Sequence, residues 1–393
     1  MNKNQCYLPN QKQFYAPIVL TINMMYLSGM ISFALNSELQ NGILYFGCFV
    51  GSRLYKYIQQ FSNRVIFYFS DLLFLVSFFL IFLTYFLTLH TKHLFLYYSF
   101  TGIFIIGIAG GINLIQVLMY LRLKYADEAI SFFSLFIPLQ FAIGSVIGSI
   151  IYDFPFPHLK QVMLMTFPIM TAVRVLLISI IPFSGLSQNV KQMEETSQNN
   201  QTADLQLNQT EEQVGSEKFL QAFLKNFKYL ILVIIFQTSS MPFQYHPLQL
   251  FLVLFNMIFY QYIDKNKMIV LGQISVCFGY CMNMTIFSAS GYYLGLGSLF
   301  YPIICKISSS ELIMISEISW IIRLSTMCFI AVMQKISYNL FLLDSEVYNN
   351  VFFILNFVSL ILLISLLFFS KKNEKNKVEF EMILGVQTRG ELN

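Results

Sequence analysis

Apolar residues along the 393-residue chain gather into twelve runs, at about 15–35, 43–58, 65–87, 94–120, 129–152, 162–183, 227–243, 248–263, 268–289, 291–307, 312–333 and 351–369. A helix rises about 1.5 Å per residue, so most of these runs match a bilayer core about 30 Å thick, and the shorter ones reach across with polar ends. The runs form two sets of six. In each set a short basic turn follows the second run, at Arg64 in the first set and at Lys265 and Lys267 in the second. The pattern predicts an all-α polytopic membrane protein with twelve transmembrane helices in two pseudo-symmetric six-helix bundles. The first bundle is expected over residues 1–184 and the second, with a polar tail, over 225–393. The least regular boundary separates the seventh and eighth runs, where Gln237-Thr-Ser-Ser-Met-Pro-Phe-Gln-Tyr-His-Pro247 interrupts the apolar character.

Composition sharpens this picture. With 56 % hydrophobic and 11 % charged residues and a mean hydropathy of +0.63, the chain lacks the polar residues to cover a water-facing surface, which excludes a soluble globular protein. Residues 185–224 are Gln/Asn-rich with almost nothing to bury, so they read as a disordered cytosolic linker, with a short amphipathic helix expected near 217–227. The polar start has no basic, apolar and small-residue sequence of a cleaved leader and reads as a retained cytosolic tail.

Charge sets the orientation. Lys3, Lys12, Arg53, Lys56, Arg64, Arg122, Lys124, Lys265, Lys267, Lys306, Lys371 and Lys372 fall on the side shared by both termini, against Lys92, Lys160 and Lys335 on the other. That excess places both termini in the cytosol of a plasma or internal membrane. Asn200 and Asn208 head glycosylation triplets, but in this topology they face the cytosol and go unused. The net charge of +4 follows from the same bias and calls for no nucleic acid.

An internal repeat links the halves. The second run ends Tyr55-Lys-Tyr-Ile58 and the eighth ends Tyr260-Gln-Tyr-Ile263, so Tyr, Tyr and Ile recur 205 residues apart, each time before a basic turn and a new apolar helix. Two packed copies of a six-helix unit enclose a central route that rocking opens to alternate sides, with no chemistry on the ligand.

The residues around these turns resemble the major facilitator superfamily, and within it a divergent sugar porter. The resemblance rests on Gly47-Cys-Phe-Val-Gly51, on Gln59-Gln-Phe-Ser-Asn-Arg64 and on Val65-Ile-Phe-Tyr-Phe-Ser-Asp-Leu-Leu73, with the later copy Asp264-Lys265-Asn-Lys267. Gly110-Gly111 through Tyr120 resembles the family's fourth helix, and Gly295-Leu-Gly297 through Tyr301 and Lys306 its tenth. The resemblance implies gate roles for Gln59, Arg64, Asp264, Lys265 and Lys306. Several family positions differ. Gln59 stands where the family has Asp, Ser62 replaces the turn glycine, and Lys306 stands where the tenth helix carries Glu. The sugar porters' Pro-Glu-Ser-Pro-Arg after the sixth helix is Pro182-Phe-Ser-Gly185, and their glutamine-rich seventh helix is reduced to Gln237-Thr-Ser-Ser240.

Polar side chains inside apolar helices are candidates for a solute path, since facing lipid costs more than facing a wet cavity. Asn23, Asn113, Gln116, Gln140, Gln237, Gln244, Asn256 and Asn283 meet that condition. Asn113 and Gln116 share a helix face, where they either contact solute or bond neighbouring helices. Arg174 and Arg323 lie halfway along the sixth and eleventh runs, where three roles are open: pairing across helices, an anion or proton function, or snorkelling. Glu317, six residues before Arg323, is too far for an i,i+4 pair, while Asp71 and Glu128 are expected at the interface or in a gate.

Cys277 and Cys281 lack metal-site spacing, and the chain carries no nucleotide loop, zinc-protease helix or nucleophile elbow, so neither cofactor, metal nor enzymatic role is expected. His90, His93, His158 and His246 fall near the outer surface and read as solvated. The expected partners are the lipid bilayer and a small polar solute, a sugar or an organic anion. Proton coupling is left open, with mid-span acids nearly absent. The contrasting expectation, drawn from the missing gate charges, is a transport-inactive sensor, scaffold or complex subunit.

Overall fold

The computed structural model describes residues 11–34, 38–87, 92–125, 127–153, 165–183, 229–239, 248–260, 262, 264–305, 309–339 and 350–365. The linker 185–224, the helix near 217–227, Gln244, Lys306, Asn200, Asn208, His90, His158 and His246 lie outside them. The described helices are α1 (Gln11–Ala34), α2 (Glu38–Ile58), α3 (Asn63–Leu87), α4 (Lys92–Lys124), α5 (Asp127–Phe133), α6 (Phe136–Asp153), α7 (Thr166–Ile180), α8 (Tyr229–Ser239), α9 (Leu248–Phe259), α10 (Lys265–Cys281), α11 (Thr285–Leu294), α12 (Leu296–Ile304), α13 (Ser309–Asn339) and α14 (Asn350–Ser365). They trace the twelve runs, with the fifth and tenth each divided in two. Four described stretches are long and apolar enough to cross a membrane: Asn63–Leu83, Ser99–Lys124, Ala129–Ile150 and Glu311–Phe329.

The arrangement of faces requires lipid. On α7 the outward positions are Ile169, Met170, Val173, Leu176 and Ile180, whereas Phe167, Thr171, Arg174 and Ile178 point inward. On α3 the exposed stripe is Val65, Phe69, Leu72, Val76 and Phe79, and the buried face holds Ser70, Asp71 and Ser77. An apolar exterior around polar side chains is unfavourable in water and stable in hydrocarbon, where backbone groups are already paired within the helix.

Within the first bundle, glycines allow helix backbones to touch. Cβ atoms at Gly47 and Gly51 of α2 would strike the carbonyls of Phe104 and Ile108, and those at Gly107 and Gly111 of α4 would strike the carbonyls of Leu44 and Cys48. Both helices therefore carry glycines four apart at their crossing, the spacing that favours close packing without a hydrophobic driving force.

Two boundaries differ from the sequence pattern. The fifth run is interrupted at Ser134 and Leu135, which places Pro138 in the first turn of α6, where its missing N–H leaves no bond unmade. The ninth and tenth runs meet at residues 282–284 rather than at Gly291. Asn283 adopts a left-handed φ of 55°, which asparagine tolerates, and Met284 N donates to Gly279 O at 2.7 Å to close the turn. Gly291 instead lies inside α11 against the backbone of α10 at Gly272 and Val276.

The halves meet mainly where α13 packs on α2, with further contact of α9 on α6 and of α12 on α5 and α6.

Candidate functional site

Inside the first bundle, Arg174 of α7 organises a fully buried polar knot. Its Nε donates to Val19 O at 2.9 Å, and Nη2 donates to Leu20 O at 2.9 Å and to Asn113 Oδ1 of α4 at 3.0 Å. Nη1 is ion-paired with Asp71 of α3, whose carboxylate also accepts from Asn23 Nδ2 of α1 at 2.6 Å. Asp71 was expected at the interface or in a gate; it lies instead in the bundle core, because Arg174 supplies the opposite charge that a carboxylate there requires. Of the three roles open for Arg174, pairing across helices is the one observed.

The second bundle has a neutral counterpart. Ser239 of α8 donates to Gln273 Oε1 of α10 at 3.0 Å or to Asn356 Oδ1 of α14 at 2.8 Å, and Gln273 Nε2 lies 3.1 Å from the same Asn356 oxygen. The first, third and sixth spans supply Asn23, Asp71 and Arg174, and the seventh, ninth and twelfth supply Ser239, Gln273 and Asn356. Corresponding helices of the two halves thus meet at corresponding polar knots. Sequence comparison missed this, because ion pair and amides share no residue identity.

Other candidates serve helix ends and breaks. Gln116 accepts from Tyr55 Oη at 2.6 Å and donates to Asn63 Oδ1 at 2.7 Å, tying α4 to the turn between α2 and α3. Arg64 donates to Ile181 O at 3.0 Å and lies over the Phe183 ring, which neutralises the carbonyl end of α7. Gln59 is exposed, and its backbone N–H donates to Tyr55 O. Asp264 caps α10 by accepting from Asn266 N and Lys267 N, and Lys265 Nζ sits 4.2 Å from the Tyr260 ring centroid. Asn256 Nδ2 donates to Tyr293 O at 3.1 Å and Leu294 O at 3.0 Å, the carbonyls released where the tenth span breaks at Gly295. Gln140 is buried on α6 and Asn283 is exposed in its turn.

Between the halves, α2 and α13 bring together a separate polar layer. Arg323 lies with its guanidinium carbon 5.2 Å from the Tyr45 ring centroid and donates at 3.4 Å to Tyr45 Oη and to Gln237 O of α8. Trp320, one turn earlier, stacks on the same Tyr45 ring at 6.0 Å, and Gln237 Nε2 donates to Ser319 Oγ at 2.5 Å. Arg323 therefore reaches the other half at the boundary, and Gln237 bonds to it and to Ser319 from within the second bundle, whereas Asn113, Gln116 and Arg174 bond within the first bundle and Asn256 within the second.

Toward the basic end of α2, the boundary is charged. Glu317 Oε1 is 2.7 Å from Lys56 Nζ and its Oε2 accepts from Arg53 at 3.3 Å, while Ser52 and Ser316 hydroxyls lie 3.2 Å apart. This contact across the halves was missed in the sequence. The signal for it was a lone acid in an apolar run on one helix and two bases in the last turns of another.

The sequence matches no protein-family model and no curated protein. Solved structures do match. A crystal structure of a D-xylose–proton symporter aligns at TM-score 0.65 and 13 % identity, over 89 % of this chain and 95 % of that one. The xylose transporter XylE from E. coli, in a partially occluded inward-open conformation, aligns at TM-score 0.61 and 13 % identity, over 90 % and 97 %. The major facilitator superfamily transporter FucP, in the outward conformation, aligns at TM-score 0.58 and 11 % identity, over 89 % and 98 %. At these identities the likeness shows the fold alone: an all-α polytopic membrane protein whose two helical bundles are arranged like those of these transporters.

Proposed function

We propose that this chain carries a small polar solute, of the sugar class or close to it, across a bilayer by alternating access between its two bundles. The observation that carries the reading is the polar layer at the α2–α13 boundary, where Tyr45 of one bundle meets Arg323 and Trp320 of the other, with Gln237 bonded behind them to Arg323 and Ser319. Polar side chains at mid-span are costly against lipid and useful where two halves part around a solute. The structural neighbours support the class of solute: XylE is a proton:xylose symporter and was solved with 6-bromo-6-deoxy-D-glucose bound.

In this reading the bundles comprise residues 1–184 and 225–393, joined by a cytosolic linker at 185–224, and both termini are cytosolic. Arg323 and Gln237 contact the solute, and Arg53, Lys56 and Glu317 close the cytosolic side. The charges of the two basic turns then steady their own bundles. The solute leaves chemically unchanged, so no catalytic group or cofactor is required.

The test is uptake by proteoliposomes containing the purified chain. Saturable counterflow of a sugar or related polar solute, reduced by Gln237→Ala at unchanged protein abundance, is the expected result. Saturable binding with no counterflow of any solute would favour a transport-inactive sensor.

A further inference from the structure

We infer that the solute is an acid, a polyhydroxylated carboxylate such as a sugar acid, and that Arg323 selects for its charge. This rests on the transport reading above and goes beyond the neutral sugars named for the structural neighbours.

Two mid-span arginines were candidates for binding an anion. Arg174 is matched by Asp71 in the core of the first bundle, so that pair presents no net charge to the boundary. Arg323 is different in position: it is half-buried at the boundary where the bundles meet, and it reaches the other half at Tyr45. A positive charge in a layer of low dielectric attracts an anion far more strongly than it would in water.

A second observation points to a ligand at the same place. Trp320 is 8 % exposed, and its indole Nε1 is buried with no hydrogen-bond partner among the described residues. A buried indole N–H ordinarily finds an acceptor. Trp320 and Arg323 are three residues apart on α13 and converge on one Tyr45 ring. Both groups only donate, and a carboxylate only accepts, with about four lone-pair sites for them. One turn along α2 from Tyr45, Asn41 Oδ1 is a buried acceptor with no partner among the described residues. That oxygen suits a hydroxyl on the same solute. Donors for a carboxylate beside an acceptor for a hydroxyl describe a hydroxylated acid, of which a sugar acid is the member nearest the sugar class.

Trp320 is the single tryptophan of the chain, so its emission reports directly on this layer. Purified full-length protein would be titrated with D-glucuronate, D-gluconate, D-glucose and D-xylose, and counterflow of the same four measured in proteoliposomes. The acids are expected to change the emission saturably, with affinity about tenfold or more above that for glucose. Arg323→Gln should erase that preference, as loss of a charge-assisted hydrogen bond implies, and Arg323→Lys should retain part of it. An unshifted blue emission maximum in both variants shows that Trp320 is still buried. Equal affinity for glucuronate and glucose, or an acid preference that survives Arg323→Gln, overturns the inference. Counterflow of neutral sugars without acid preference leaves transport standing and sinks only the charge selection. Acid binding without any counterflow does the reverse. No response to any of the four solutes overturns both.

Discussion

Neutralising Glu317 should loosen one side of the boundary between the bundles. Its carboxylate is 10 % exposed and faces Lys56 at 2.7 Å and Arg53 at 3.3 Å, whose side chains are 38 % and 58 % exposed. Because water screens both cations, each pair is credited with the small value of an exposed ion pair, and the two together with about 0.4–2 kcal/mol. Released into an equilibrium between closed and open forms, that amount changes their ratio by about 2- to 30-fold. The reporter is the neighbouring pair Ser52 and Ser316, whose hydroxyls are 3.2 Å apart. With the native cysteines replaced, Ser52→Cys with Ser316→Cys should cross-link rapidly under mild oxidation in membranes. Adding Glu317→Gln should slow cross-linking by up to the same factor, which is the limit when the closed form is the minor one. Exchanging the charges, Lys56→Glu with Glu317→Lys, should recover more of the rate than either change alone. Cross-linking that is indifferent to Glu317→Gln, together with no recovery in the exchanged pair, would refute the proposed ionic contact.

Breaking the buried pair of the first bundle should be more damaging. Arg174→Met leaves Asp71 as an uncompensated buried charge, at a cost of about 3–5 kcal/mol, and Arg174→Met with Asp71→Leu should recover much of the lost thermal stability in detergent; a double variant no better than the single would contradict the pairing. Gly51→Val forces a side chain into the Ile108 backbone and should cost about 1–3 kcal/mol or abolish accumulation in membranes, whereas Gly42→Ala, which meets the Leu324 side chain at ordinary contact distance, should be tolerated. Similar membrane abundance of the two glycine variants would count against the close crossing of α2 and α4. Asn256→Leu removes two hydrogen bonds to the broken tenth span, about 1–3 kcal/mol, and should lower the melting temperature, chiefly through Leu294 O because the Ser298 hydroxyl also donates to Tyr293 O; an unchanged melting temperature would contradict a role for Asn256 in holding the break.

Much of the architecture was legible because a bilayer enforces it. Runs of helical length, two basic turns and the Tyr-Tyr-Ile repeat all reflect segment length and periodicity, which sequence states directly. Helix breaks were less visible. Gly291 reads as a punctuating residue but serves close packing against Gly272, while the turn falls at Asn283, whose side chain permits the left-handed backbone. The polar residues were found, but their partners were not. Asp71 and Arg174 are 103 residues apart, Ser239 and Asn356 are 117 apart, and Lys56 meets Glu317 from the other half of the chain. Helical spacing identifies which residues share a face, and only packing of the helices decides which face meets which. For the same reason Asn113 and Gln116, correctly placed on one face of α4, turn out to bond Arg174 and Tyr55 of neighbouring helices.

Reversible locking of the two bundles tests alternating access most directly. Counterflow of the preferred solute would be measured in proteoliposomes bearing Ser52→Cys with Ser316→Cys, first oxidised and then reduced. Counterflow that stops on cross-linking and returns with reductant is the expected result. Counterflow at an undiminished rate through fully cross-linked protein would contradict movement of the bundles about the α2–α13 boundary.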